Sequence, residues 1–314
     1  MQITLFFKPV LSTTLIFACL FTFQCKRLHA TDMLNTKWSL AALKNTTYSG
    51  LKAAPAPVKL VDGRWEGAPY VDGGASRPSV HFVGDHYPIG KVAGNAADAA
   101  VVFLAESSGG SGRLVYLAVV EKRNGVLTNT ATAALGDRVQ VRDVRIENGA
   151  IAVDVLQAGP QDAACCPGEL ATRHWRLNAT GIVASETADR TGRLSLDVLA
   201  DTAWRLRAWD VDEPAPDAPE ITLSYDNSRL AGSAGCNRYF AMVEAGDRPG
   251  DLQVGPSGST RMICPEAIMA IEQRFLHQLS GATTFAFMAG QLAISFERDG
   301  RRGTMHFNRK EGRP

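Results

Sequence analysis

Apolar positions along this chain come in short runs, and most of them have the length and spacing of strands. Ala99-Ala-Val-Val-Phe-Leu-Ala105 is unbroken, the pattern of a fully buried strand. A Gly/Ser segment, Ser107 to Gly112, separates it from Leu114-Val-Tyr-Leu-Ala-Val-Val120, so the two runs predict a hairpin. Val139 to Ile146 alternates apolar and polar, and Asn148-Gly149 leads into Ile151-Ala-Val-Asp-Val-Leu156. An Asn-Gly pair between alternating runs is a strong hairpin signal. His174 to Leu177 adds a short strand, and Met33 to Tyr48 has room for one short helix, ending where Asn45-Thr-Thr breaks the pattern.

The second half repeats this plan. Asp201-Thr-Ala-Trp204-Arg-Leu206 opens it, Ile221 to Tyr225 alternates, and Asp226-Asn227 turns the chain into Arg229 to Ser233. Thr284 to Met288 and Leu292 to Phe296 flank Ala289-Gly290 as a hairpin, and Thr304 to Phe307 is a final strand. One helix is predicted from Pro265 to Leu279. Glu266 lies in its first turn, and Ile268, Ile271, Phe275 and Leu279 recur at helical spacing as a core-facing stripe. Residues 178–200 are polar with no sustained period and read as a linker. A chain of 314 residues fits two domains behind a leader. The expected fold is α+β and mostly β. It places a β-rich domain at 31–177 and a second domain at 201–309, an antiparallel sheet with one helix packed across it.

The first 30 residues differ in kind. Lys8 precedes a largely apolar run from Val10 to Phe23, acidic residues are absent until Asp32, and Leu28-His29-Ala30 follows. That is the plan of a secretory signal peptide over 1–30, cleaved after Ala30. The apolar run is short for a bilayer span. Lipidation competes as a reading at Cys19, after Ala18, or at Cys25, after Gln24; both sites fit the pattern poorly, and membrane contact is expected only if one of them is used.

Loss of the leader leaves Cys165, Cys166, Cys236 and Cys264, and an even number in an exported chain favours disulfides. Four cysteines allow three pairings, and the sequence alone selects none. A bridge from Cys236 to Cys264 would close a loop worth about 3–4 kcal/mol. The adjacent Cys165 and Cys166 either bond to each other through a strained ring or pair elsewhere. With His174 they lack the recurrent spacing of a zinc site.

Charge and motifs narrow the function by exclusion. A formal net charge of +1 gives no electrostatic case for nucleic acid or for an acidic membrane surface. Gly109-Gly-Ser-Gly-Arg113 lacks the Gly-Lys-Ser/Thr ending of a phosphate loop, and Gly255-Pro-Ser-Gly-Ser259 has serine where a nucleophile elbow needs its last glycine. His81-Phe-Val-Gly-Asp-His86 reads as a surface loop. No catalytic, cofactor-binding or metal-ligating residue is therefore assigned.

Several elements of the second half recur in a familiar order: Trp204-x-Leu206, Ile221-Thr-Leu223, Gly232, Gly235-Cys-Asn-Arg-Tyr239, Thr260-Arg-Met-x-Cys264, Glu272 and Phe275-Leu276. Over about residues 200–309 the chain resembles the META domain, a family that includes small heat-inducible outer-membrane lipoproteins of bacteria. The resemblance implies a compact sheet with one helix across it. It also implies associations with the bacterial envelope, stress, motility and secretion, and it carries no catalytic residues. On this reading Trp204, Gly235, Asn237, Arg238, Tyr239, Thr260, Arg261 and Met262 are framework residues, with Cys236 and Cys264 as their covalent tie. The first domain resembles, through Asp98-Ala-Ala-Val-Val, Gly109 to Gly112, Ala134 to Val139 and Gly159 to Pro167, an envelope region often found ahead of META domains. Those relatives carry a calcium-like turn before the first strand. Here only Asn95 and Asp98 remain as oxygen donors, too few for an ion that takes six or more.

The expected function is that of a non-enzymatic exported protein, periplasmic or outer-membrane associated, serving as a scaffold or stress-associated interaction protein. Its expected partner is an envelope protein or a small apolar ligand. The alternative is a small-molecule or lipid-binding module with an apolar cavity under the META-domain helix, among Phe275, Phe285, Phe287 and Phe296. A hydrolase built on His81, His86 or His174 comes third. No cofactor is expected.

Overall fold

The computed structural model describes residues 38–54, 56–92, 97–163, 165–178, 181–184, 188–210 and 213–310. The expected leader at 1–30, Cys19, Cys25 and Asn95 lie outside them. Among the described residues every strand pairing is antiparallel, and each sheet is built from one consecutive stretch of chain. Helix α1 (Leu40–Lys44) leads into a hairpin of β1 (Thr47–Tyr48) and β2 (Val58–Lys59). A six-stranded sheet follows, made of β3 (Arg64–Glu66), β4 (Ser79–Val83), β5 (Ile89–Lys91), β6 (Asp98–Ser107), β7 (Leu114–Arg123) and β8 (Val126–Asp137). A five-stranded sheet takes β9 (Gln140–Glu147), β10 (Ala150–Gln157), β11 (Glu169–Asn178), β12 (Gly181–Ala184) and β13 (Asp189–Arg193).

The unbroken apolar run in β6 has a direct cause. Ala99, Val101 and Phe103 face a core shared with Val153, Val155 and Trp175 of the five-stranded sheet. Ala100, Val102 and Leu104 face the other way, onto Leu43 of α1 and Tyr48, Val58 and Leu60 of the first hairpin. A strand with two covered faces has no solvent side on which to place polar residues. Each fully buried Leu, Val or Phe here contributes about 1.5–3 kcal/mol. Ser39 starts α1 by accepting a hydrogen bond from the Ala42 amide at 3.1 Å, and Asn45 ends it. Asn148 and Gly149 join β9 to β10 with φ of 52° and 76°, the left-handed pair that a tight hairpin requires.

Residues 178–200 correct the linker reading. β12 and β13 both pair with β11. Leu196 and Leu199 then enter the core of the second domain through a short 3-10 turn capped by Ser195. β13 is exposed along its whole length, so its residues carry no apolar period to reveal a strand.

The second domain comprises β14 (Ala203–Asp210), β15 (Glu213–Pro214), β16 (Thr222–Asp226), β17 (Arg229–Ser233), β18 (Arg238–Ala245), β19 (Leu252–Ser259), α2 (Glu266–Leu279), β20 (Ala282–Met288), β21 (Gln291–Arg298) and β22 (Arg301–Arg309). Its nine strands form one curled sheet in the order β19-β18-β17-β16-β14-β22-β21-β20, with β15 paired to β14. The curl brings the two ends together: Asp251 bridges Thr284, and the Phe285 amide donates to the Gly250 carbonyl at 2.8 Å. Phe275 of α2 packs edge-on against Tyr239 with ring centroids 5.2 Å apart.

The two domains interlock. Ala289, at the tip of the β20–β21 hairpin, is fully buried and belongs to the core between the first domain's sheets. The Gly290 amide donates to the Val141 carbonyl at 3.2 Å, and the Phe287 amide donates to Gln140 Oε1 at 2.9 Å. The close approach requires Gly84. A Cβ there would stand 2.6 Å from that of Ala289, and its φ of +72° disfavours side chains in any case. Ion pairs Arg207–Asp85 and Arg309–Asp143, the latter at 3.7 Å, flank the contact.

Candidate functional site

The two motif segments of the second domain converge on Asn237. Its side-chain oxygen accepts from Thr260 Oγ1 and from the Met262 amide, both at 2.7 Å. Its Nδ2 donates to Glu272 Oε1 at 2.9 Å and to the Met262 carbonyl at 3.3 Å. The Asn237 amide adds a 2.6 Å hydrogen bond to Glu272 Oε2. A carboxamide offers two donor protons and one accepting oxygen, and here that capacity is spent within the fold. Glu272 sits within the helix's apolar face only 5% exposed, so these charge-assisted bonds are what let α2 bury a carboxylate.

The remaining motif residues frame this hub. Cys236 and Cys264 form a disulfide with Cα atoms 6.0 Å apart. The Arg238 amide donates to Thr260 Oγ1 at 3.2 Å. Tyr239 is buried, its hydroxyl donates to the Thr222 carbonyl at 3.1 Å, and burial pushes its pKa up. Gly235 turns the chain at φ +124° beside Pro219. Trp204 lies deeper, 6.4 Å from Phe287, with the Arg309 guanidinium over its ring at 5.7 Å. Beside the exposed Arg261 the hub displays apolar side chains: Met262 is 54% exposed and Ile263 is 98% exposed. Immediately after Asn237, β18 turns Phe240 and Met242 outward at 51% and 53% exposure.

Cys165 and Cys166 are bonded to each other, in the loop between β10 and β11. Asp162 holds the base of that loop, accepting from the Gly159 amide at 2.7 Å, the Gly168 amide at 2.8 Å and Arg193 at 2.6 Å. Arg193 first, then the Gly159 amide, hold its carboxyl down at about 2. His174 lies apart, 3.5 Å from Asp189. Among the described residues, no three His, Cys, Asp or Glu side chains are grouped to hold a metal ion.

The space beneath α2 is taken by side chains. Phe275, Phe285, Phe287 and Phe296 are all buried in one cluster, with Phe285 edge-on to Phe287 at 6.1 Å. A cavity lies elsewhere, at the junction of the domains, with a volume of about 690 Å³. Its wall combines Val115, Val139 and Val141 of the first domain with Ala286, Phe287 and Met288 of β20. Lys44, Arg64, Arg113 and Arg138 also line it, against one acid, Asp62. His81 sits among them, its pKa held below the ordinary value by burial, then by Arg113 and Arg64. His86 instead lies against Gly290 at the hairpin tip. The lining residues span positions 44 to 288, so no local motif announced the cavity.

Residues 197–311 match the family model of the META domain, in agreement with the resemblance over 200–309. An NMR structure of a protein from Burkholderia xenovorans is 29% identical, over 37% of this chain and 86% of that one, with a TM-score of 0.30. No curated protein matches the chain.

Proposed function

We propose that this chain is an exported, non-catalytic protein of the bacterial envelope that works by contact with another envelope component. The observation that carries the reading is the loop Arg261 to Ile263. A disulfide and the Asn237 hub hold it in place, yet it presents Met262 and Ile263 to solvent. Phe240 and Met242 on β18 are exposed as well. Adjacent exposed apolar side chains such as Met262 and Ile263 are material for a contact surface, and pre-fixing a binding loop lowers the entropic cost of association. Two intramolecular disulfides suit an oxidising compartment, and the match to the META family supports an envelope setting.

The test is a photo-crosslinking residue at position 263 of the full-length chain in growing cells, followed by fractionation. The expected result is a mature chain that begins at Thr31, found in the envelope, and a discrete adduct lost on Met262→Ser. A chain that keeps residues 1–30 in the cytoplasm, or one that gives no adduct, overturns the proposal.

A further inference from the structure

We propose that the cavity between the domains binds the carboxylate of a single-chain fatty acid. This does not depend on the contact surface around Ile263. Strand register explains the cavity's polarity. Arg64 pairs with His81, His81 with Ala105, and Ala105 with Val115 across β3, β4, β6 and β7. Directly paired residues share one face of a sheet, so these four form a row running from a cation to apolar side chains. The other wall is the inner end of β20, where Phe287 is nearly fully buried and Met288 is the adaptable element. The result is an apolar trough with positive charge at one side, the complement of an alkyl chain ending in an anion.

Arg113 is the residue placed to read that anion. Its amide donates to Asp137 Oδ1 at 2.7 Å and its carbonyl accepts from the Arg138 amide at 2.8 Å, which fixes its backbone. Its guanidinium has no carboxylate partner among the described residues. Arg138 is held differently, on Asp137 at 3.0 Å and the Ser111 carbonyl at 2.9 Å. Arginine's planar fork matches a carboxylate bidentately. A volume of about 690 Å³ is that of a small-ligand site. One acyl chain suits it better than a two-chain lipid with its headgroup.

Calorimetric titration of the purified protein tests this with palmitate, hexadecanol and phosphatidylglycerol vesicles, all palmitate additions kept below its micelle concentration. Palmitate is expected to bind saturably at one site, with hexadecanol at least tenfold weaker. Arg113→Ala, an exposed position whose loss leaves the fold intact, should weaken palmitate by roughly tenfold or more and leave hexadecanol unchanged. Ala286→Leu, which narrows the trough, should weaken both ligands, with circular dichroism confirming the fold. Equal binding of acid and alcohol, no effect of Arg113→Ala, preference for the vesicles, or no saturable binding would each overturn the assignment.

Discussion

Asn237→Ala removes a side chain that makes four hydrogen bonds, and its cost follows from what each lost bond leaves behind. Thr260 Oγ1 and the Met262 amide and carbonyl sit beside an exposed loop and can turn to water. Each of those losses costs about 0.5–1.5 kcal/mol. Glu272 cannot do the same, because it is 5% exposed and keeps only the Asn237 backbone amide as donor. Stripping one donor from a buried carboxylate costs about 1–3 kcal/mol. The total is about 2.5–7.5 kcal/mol, which reaches the range of severe point mutants. Urea unfolding followed by tryptophan fluorescence measures it, with Thr260→Val, which removes only the hydroxyl bonds, as a milder control near 1 kcal/mol. Asn237→Asp should be worse than Ala at neutral pH, since it sets a second carboxylate 2.9 Å from Glu272. A midpoint for Asn237→Ala that stays within about 0.5 kcal/mol of the parent would refute the idea that this carboxamide pins the fold.

Replacing both Cys236 and Cys264 by serine should cost about 3.5 kcal/mol, the chain-entropy value for a loop of this length, in the same urea assay under oxidising conditions. Combined with Asn237→Ala the losses should sum to less than their total, because both hold the same loop. Ala289→Asp forces a charge into the core of the first domain and should cost at least about 3 kcal/mol; small-angle scattering should show expansion while both halves keep their strand signal. His306 is 6% exposed and its pKa is lowered by burial, with Asp210 and Asp85 opposing and Arg207 reinforcing the shift. A folded-state pKa below the unfolded value means that the unfolded chain takes the proton first, so stability is full above the ordinary histidine pKa and falls as pH drops through it. His81 acts in the same direction. Thermal melts between neutral and mildly acidic pH should show this loss, and His306→Gln should make it shallower.

Much of the fold was readable where local chemistry and burial agreed. Asn148-Gly149, Ala289-Gly290 and the Pro265 helix start were legible because each sets its own backbone geometry. β8 escaped because Thr128, Asn129, Thr130, Thr132 and the alanines around them give a half-covered strand almost no contrast. β13 escaped through full exposure, and the helix stripe did not reveal that Glu272 is buried beside Phe275. The motif cluster was legible as a framework through resemblance, whereas its hub at Asn237 needed coordinates. The junction cavity was invisible, since a hairpin was predicted at Ala289-Gly290 but nothing in its residues says which surface it enters.

That insertion sets an order for folding. The first domain's own strands end at Arg193, yet one piece of its core is Ala289, close to the end of the chain. During synthesis the leading half emerges first and would ordinarily close on itself. Here the seam that Ala289 fills can close only once the β20–β21 hairpin has joined the first domain, so that hairpin acts as a closing stitch. Unfolding of the second domain should therefore expose the core of the first, so the two halves are coupled through one alanine.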